Sequence, residues 1–142
     1  MHNINHLQLQ STQRYDEFDP QQEGNKNVTF IDFVIDGQSL YTMLKQYDRI
    51  PALGWGGEEY QKQILDYLLL EQMHPDLYYR YPLLVCPWCG DEECGFISVL
   101  IEKEADLMVW RDFKLEPDNK TILIGPFYFE WEQYNKLISK SR

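Results

Sequence analysis

The sequence predicts a single α+β domain built on a mainly antiparallel sheet of about four to five strands, with about three helices packed on one face. One observation is the order of the elements, which runs strand, two helices, three or four strands and a last helix. Another is the shortness of the connections between the central strands, which excludes the long crossovers that parallel pairing needs. We expect residues 1–25 to form a flexible arm and residues 26–142 to form the domain.

The size and composition of the chain agree with one folded domain. Its 142 residues are 44% hydrophobic and 15% aromatic, so the chain can bury enough apolar surface to offset its conformational entropy. The sequence contains no run of about 18 apolar residues, so it predicts no membrane span. The first residues lack a basic segment followed by an apolar one, so we expect no secretory signal and a cytoplasmic location.

The first half of the domain is expected to hold one strand and two helices. Residues 28–36 are rich in β-branched and aromatic side chains, which favours a strand. Ser39 is placed to cap a short helix over 40–47. The clearest helical pattern covers 58–72, with two acids in its first turn and one apolar face. The glycine-rich loop over 50–57 lacks the Lys and Ser/Thr of a phosphate-binding loop.

The second half of the domain is expected to be rich in strands and to end in a helix. Residues 81–101 predict two strands joined by a tight loop, and a strand over 107–113 pairs back on them. A short strand is expected over 121–124, and residues 127–129 lead into a helix from about 130 to 139. The side of that helix expected to be buried consists of Trp131, Tyr134, Leu137 and Ile138.

All three cysteines lie in the loop between the two central strands, at Cys86, Cys89 and Cys94. Tetrahedral zinc favours thiolates delivered by short loops, so a zinc site is one hypothesis. Three thiolates need a fourth ligand, which is either His74, the one histidine within the predicted domain, or a water molecule. The metal-ligand set of this hypothesis is therefore Cys86, Cys89, Cys94 and His74.

Other interpretations of the cysteine loop stay open. A redox pair needs a lowered thiol pKa, which the neighbouring Asp91, Glu92 and Glu93 oppose. A cytidine-deaminase type of site needs a His-x-Glu motif, and the residues after His74 do not supply one. A Cys–His nucleophile would also depend on His74 alone. The simplest interpretation is that small cysteines and glycines close the hairpin.

The charge of the chain is strongly negative. Its formal net charge is −10, from 23 Asp and Glu against 13 Lys and Arg. Nucleic acid is not expected as a direct partner, because phosphate binding needs a cationic face. The same balance can steer a basic protein toward the chain.

Acids concentrate between Asp91 and Asp118, a stretch that contains nine acidic and three basic residues. Acids interleaved with aromatic residues are typical of a surface that inhibits a basic protein, since charge speeds the encounter and aromatics anchor it. These acids belong to both ends of one hairpin, so they cannot all form one patch. The predicted partner-binding residues are Asp91, Glu92, Glu93, Glu102, Glu104, Asp106, Trp110 and Asp112.

A motif Cys-Pro-x-Cys-Gly-Asp-x-x-Cys-Gly is followed here by Val-Trp-Arg-Asp-Phe and Gly-Pro-Phe-x-Phe. With these motifs, the chain resembles a family of small, uncharacterised bacterial proteins over about residues 80–135. The family brings no known activity with it. By size, acidity and single-domain build, the chain is also similar to immunity proteins that neutralise bacterial toxins, including those of contact-dependent growth inhibition. The matching residues are Cys86, Cys89, Gly90, Asp91, Cys94, Gly95, Trp110, Asp112, Phe113, Gly125, Pro126, Phe127 and Phe129.

Two specific functional hypotheses follow from these observations, beside the general one of a structural or regulatory domain. The first is a cytoplasmic immunity protein that masks the active site of a basic nuclease toxin. The alternative is a small zinc-binding protein or enzyme that uses the loop of Cys86, Cys89 and Cys94. No catalytic set is recognised in the sequence, and zinc is the one cofactor that it suggests.

Overall fold

The computed structural model describes residues 4–15, 27–75, 77–86 and 95–141. The described strands of the first half are β1 (Leu7–Tyr15), β2 (Asn27–Ile35), β3 (Gln38–Ser39) and β4 (Ile50–Pro51). Those of the second half are β5 (Arg80–Val85), β6 (Phe96–Glu104), β7 (Leu107–Glu116), β8 (Lys120–Thr121) and β9 (Phe127–Glu130). The helices are α1 (Leu40–Met43), α2 (Glu58–Leu68) and α3 (Trp131–Ser139), with one 3₁₀ turn at Lys45–Tyr47.

The strands form two antiparallel sheets. The first sheet has the order β1-β2-β3, and the second has the order β4-β5-β6-β7-β8 with β9 also paired to β7. Consecutive strands are mostly neighbours, which agrees with their short connections. The α+β class and the antiparallel pairing are confirmed. The strands are more numerous than expected, because they divide between two sheets.

Hydrogen bonds join the two sheets at two places. The backbone N–H of Ile31 on β2 donates to the carbonyl of Leu53 beside β4, at 2.8 Å. On β9, Tyr128 exchanges two hydrogen bonds with Asn5: its carbonyl accepts from the Asn5 backbone N–H at 2.7 Å, and its N–H donates to Asn5 Oδ1 at 2.8 Å. These contacts satisfy backbone groups that a free sheet edge would leave open.

The core lies between the two sheets and α3 and is built around Trp110 of β7. The Trp110 ring meets Phe33 of the first sheet and Phe129 of β9 edge-to-face, with ring centroids 5.2 Å and 5.0 Å apart. Its indole N–H donates to the hydroxyl of Tyr134 at 3.3 Å, and that hydroxyl donates to the carbonyl of Leu68 at 2.6 Å. Burial of such rings stabilises the fold by about 1.5–3 kcal/mol each. Burial also raises the pKa of Tyr134, which therefore stays protonated.

The region that the sequence assigned to a flexible arm is structured over much of its described length. Leu7–Tyr15 forms β1 and pairs with β2 through nine aligned residues. Leu7 is buried in the core, and Leu9 packs against it. The prediction of an arm was wrong for these residues, because their many Gln side chains hid an alternating pattern in which leucines face inward.

The helices and short strands differ from expectation mainly at their ends. Ser39 does cap α1, since its hydroxyl accepts from the N–H of Thr42 at 3.1 Å. The predicted helix over 58–72 ends at Leu68, and Leu70 has a left-handed φ of 59° that is incompatible with its continuation. Helix α3 agrees with the prediction. No helix in the described ranges is long and apolar enough to cross a membrane.

Candidate functional site

The two ends of the second sheet differ in the residues that they carry. The turn between β6 and β7 lies at one end, together with the junction of β9 and α3, where the N–H of Trp131 donates to the carbonyl of Asp106 at 2.8 Å. Cys86 and Gly95, which flank the connection between β5 and β6, lie at the other end, about 30 Å away along the nine residues of β6. We call the first the acidic end (Glu102, Glu104, Asp106, Glu130, Trp131 and Glu132). The second is the cysteine end (Arg49, Cys86 and Gly95).

Much of the predicted chemistry of the cysteine end lies outside the described residues. Cys86 follows β5 and is 8% exposed. Residues 87–94 are not described, so the predictions for Cys89, Cys94, Asp91, Glu92 and Glu93 fall outside the structure. Within the described ranges, no group of three or more His, Cys, Asp or Glu side chains is arranged to hold a metal ion. Zinc binding by the thiols stays a prediction.

Arg49 holds the point at which the cysteine loop rejoins the sheet. Its Nε donates to the carbonyl of Gly95 at 3.0 Å, and its Nη1 donates to the carbonyls of Tyr47 and Asp48 at 3.0 and 3.1 Å. A Cβ on Gly95 would lie 2.9 Å from Nη2 of this guanidinium, and Gly95 has a φ of 92°. Sequence analysis missed Arg49, because no local pattern links it to a glycine 46 residues later.

The structure argues against His74 as the fourth ligand of a zinc site. Its backbone pairs with Tyr78, just before β5, and its Nδ1 accepts from the N–H of Leu77 at 3.1 Å. From Tyr79, whose carbonyl already pairs with β6, to Cys86 the extended chain covers about 20 Å. His74 and Cys86 therefore lie at opposite ends of β5. The imidazole instead packs within the core, 5.6 Å from the ring of Tyr67.

The acidic end carries two rows of cross-strand neighbours on the outer face of the second sheet. In the first row Leu107 is aligned with Glu104 on one side and Glu130 on the other. The adjacent row aligns Glu102, Val109 and Tyr128. Aligned residues of neighbouring antiparallel strands share a face. Leu107 is thus the partly exposed apolar centre of the first row, between two carboxylates, whereas Val109 in the second row is buried.

A groove of about 480 Å³ opens beside these rows, where the turn after β6 meets the start of α3. Its apolar part includes Leu107, Trp131 and Ile4, and Ile4 is 58% exposed. The acidic residues that line it are Asp106, Glu130 and Glu132. A concave surface that combines an aromatic ring with carboxylates suits a cationic side chain.

The acids of this region differ in their pairing. Glu102 accepts a hydrogen bond from Arg111 Nε at 2.8 Å, and this bond, aided by the charges of Asp112 and Glu104, raises the pKa of Arg111. Among the described residues, no lysine or arginine forms an ion pair with the remaining acids of the acidic end, which are Glu104, Asp106, Glu130 and Glu132. In the described part of the chain these four carboxylates thus have no direct ion-pair partner, although Glu104 is close enough to Arg111 to help raise its pKa.

Two of the predicted partner-binding residues do not belong to this surface. Trp110 is fully buried in the core, so it offers no anchor to a partner and that prediction was wrong. Asp112 sits at a bulge of β7 with a left-handed φ of 54°, about 20 Å along the strand from Asp106. The aromatic residue that does reach the groove is Trp131, which the helical pattern had placed on a buried side. Sequence spacing could not distinguish these two tryptophans.

Comparison of the chain with protein-family models, with curated proteins and with solved structures finds no match.

Proposed function

We propose that this chain is a protein-binding protein that acts as an immunity protein and masks the active site of a basic nuclease toxin in the cytoplasm. The observation that carries the proposal is the acidic end, where exposed carboxylates and a half-buried tryptophan line one groove. A nuclease needs a cationic surface to bind the phosphates of its substrate. Carboxylates of an inhibitor that lie opposite these cationic groups compete with the phosphates for that surface.

The roles of the residues follow from their exposure and charge. Asp106, Glu130 and Glu132 are exposed and attract the toxin over a distance of about a Debye length, which raises the rate of encounter. Trp131 and Leu107 are partly exposed and supply the apolar contacts that slow dissociation. The net charge of −10 adds to the steering and disfavours direct contact with nucleic acid.

Co-expression with the toxin encoded next to this chain tests the proposal. Cells that produce both proteins should survive, and the two proteins should elute together from a sizing column. The variant Asp106→Asn/Glu132→Gln should weaken the complex by about tenfold or more at low salt, since each tenfold corresponds to about 1.4 kcal/mol.

A matched control removes two exposed acids elsewhere. Glu59 lies in the first turn of α2 and Asp118 in the turn between β7 and β8, and both are exposed. Glu59→Gln/Asp118→Asn changes the net charge by the same amount as the first variant. Equal weakening by the two double variants would reduce the proposal to general charge attraction, and continued cell death with no complex would reject it.

A further inference from the structure

The side chain of Lys103 covers the ring of Trp131 at the acidic end. Its ammonium nitrogen lies 4.7 Å from the centroid of the Trp131 ring. The lysine is exposed, and the tryptophan is partly exposed and lines the groove. The chain thus places one of its own cations on the aromatic surface that its carboxylates surround.

The two members of this pair differ in how firmly they are held. The backbone of Trp131 is tied to the turn after β6 by the hydrogen bond to the Asp106 carbonyl, at 2.8 Å. Its ring stacks on that of Tyr134, with centroids 6.3 Å apart and planes inclined by 27°. Lys103 is the last residue on the core-facing side of β6, aligned with the buried Met108. Its aliphatic stem leaves the sheet there, and its ammonium group can move off the ring and be hydrated by water instead.

An arginine of a partner would compete well for this position. A guanidinium is planar, is less strongly hydrated than an ammonium group and stacks on aromatic rings. It also donates in a fork that matches carboxylates, which Asp106, Glu130 and Glu132 supply along the same groove. Lys103 lacks both properties, so it covers the ring without using the neighbouring acids, with which it forms no ion pair among the described residues.

We propose that Trp131 is the docking point for an arginine side chain of the basic partner, and that Lys103 covers the ring until the arginine displaces it. This inference rests on the proposed function, because it names the chemistry that the acidic end recognises. It makes Lys103 an internal competitor. Loss of its charge therefore strengthens arginine binding, whereas loss of the Trp131 ring weakens it.

The test uses defined peptides and needs no toxin. An acetylated and amidated Gly-Arg-Arg-Gly peptide is titrated into the full chain while the indole N–H signal of Trp131 is followed by NMR. That signal is assigned as the one missing in Trp131→Leu. Two further peptides replace both arginines, one with citrulline, which has the shape of arginine without its charge, and one with lysine. They test whether binding needs the charge and the guanidinium group.

Lys103→Met keeps the apolar stem and should tighten arginine-peptide binding by about threefold or more, since removing an internal competitor raises the competent fraction. Lys120→Met makes the same charge change at an exposed lysine of β8, remote from the groove, and should tighten it less. Trp131→Leu lacks the reporter signal, so its peptide binding is measured by calorimetric titration, and it should show no preference for arginine over lysine. The citrulline peptide should leave the Trp131 signal unshifted.

Equal tightening by Lys103→Met and Lys120→Met would overturn the inference, as would unchanged arginine preference in Trp131→Leu. These outcomes are distinct from failure of the proposed function. If the chain binds the arginine peptide at Trp131 but forms no complex with the neighbouring toxin, the arginine site is supported and the proposed function is contradicted. If the chain forms the toxin complex and Trp131→Leu does not weaken it, the proposed function is supported and this docking point is contradicted.

Discussion

The acidic end and the cysteine end are built from the same strands, yet they are held by different interactions. At the cysteine end, Arg49 binds three backbone carbonyls, and Gly95 allows it to approach closely. At the acidic end, the turn is fixed by the hydrogen bond from Trp131 to Asp106, while the side chains around it are left charged and exposed.

This difference separates residues that stabilise the fold from residues that are available to a partner. A buried or backbone-bound group such as Arg49 lowers the free energy of the folded chain, and its loss leaves carbonyls without a donor. Carboxylates without a local counter-ion add little to stability and remain free to pair with another molecule. We therefore expect substitutions at the two ends to affect different measurements.

The metal content of the cysteine end gives the largest contrast. If the thiol loop holds structural zinc, protein purified without a chelator should contain about one equivalent of the metal, because such sites bind tightly enough to be filled. Removal of the metal should then unfold or loosen the cysteine end and leave the acidic end intact. Elemental analysis that finds less than about a tenth of an equivalent contradicts the zinc hypothesis.

Gly95→Ala should reduce the free energy of unfolding by about 1–3 kcal/mol, since the new methyl group would press on Arg49 at a left-handed backbone position. Gly37→Ala is the matched control, because Gly37 has a φ of 82° with no atom within 4 Å of the added Cβ. The control isolates the backbone cost and should destabilise less. Denaturant titration measures the free energy of unfolding of both variants. Equal losses would show that the close contacts of the new methyl group with Arg49 and with the Glu116 carbonyl are unimportant. Partner binding should be unchanged in Gly95→Ala.

Asp106→Asn should have the opposite profile. The substitution keeps a residue suited to the turn and removes one of several neighbouring negative charges, so the free energy of unfolding should change by less than about 0.5 kcal/mol. Binding of a basic partner should weaken by several-fold at low salt and by less at high salt. Calorimetric titration at two salt concentrations measures the binding. If Asp106→Asn lowers stability but not binding, the acidic end stabilises the fold and does not bind the partner.

Asp36 anchors the N-terminal segment that borders the acidic end and adds a small pH dependence. The backbone N–H of His6, and then the side-chain amide of Asn5, hold the pKa of this carboxyl below its ordinary value of 3.8. The unfolded chain therefore binds this proton more readily than the folded chain does. The stabilisation is complete above about pH 5 and is lost as the pH falls through the folded-state pKa.

The variant Asp36→Asn separates this contribution from general acid effects. Asparagine also tolerates the left-handed φ of 52° at this position, so the turn is kept. The variant should be slightly less stable at pH 7 and should lose less stability than the natural chain between about pH 5 and pH 3. Parallel denaturant titrations at these values test the prediction. Identical pH profiles would show that the Asn5 and His6 contacts do not favour the charged carboxylate.

The sequence by itself determined the class of the fold, the type of most elements and the acidic character of the chain. Local features suffice for these properties, because a strand or helix is recognised from the spacing of its apolar residues and from its end signals. Helix α3, strand β6 and the cap at Ser39 were predictable in this way. The concentration of acids after residue 90 was also visible, but their division between two ends rested only on the expected hairpin.

Only the tertiary structure decided which of these residues are accessible. Trp110 and Trp131 look alike in sequence, but Trp110 faces α3 and the first sheet, whereas Trp131 lies where a turn and a helix meet at a groove. Glu102 is paired with Arg111 because the strand register places them diagonally across β6 and β7, whereas Glu104 lies one row further along, opposite Leu107. Burial and ion pairing depend on contacts between residues distant in the chain, and no local pattern specifies those contacts.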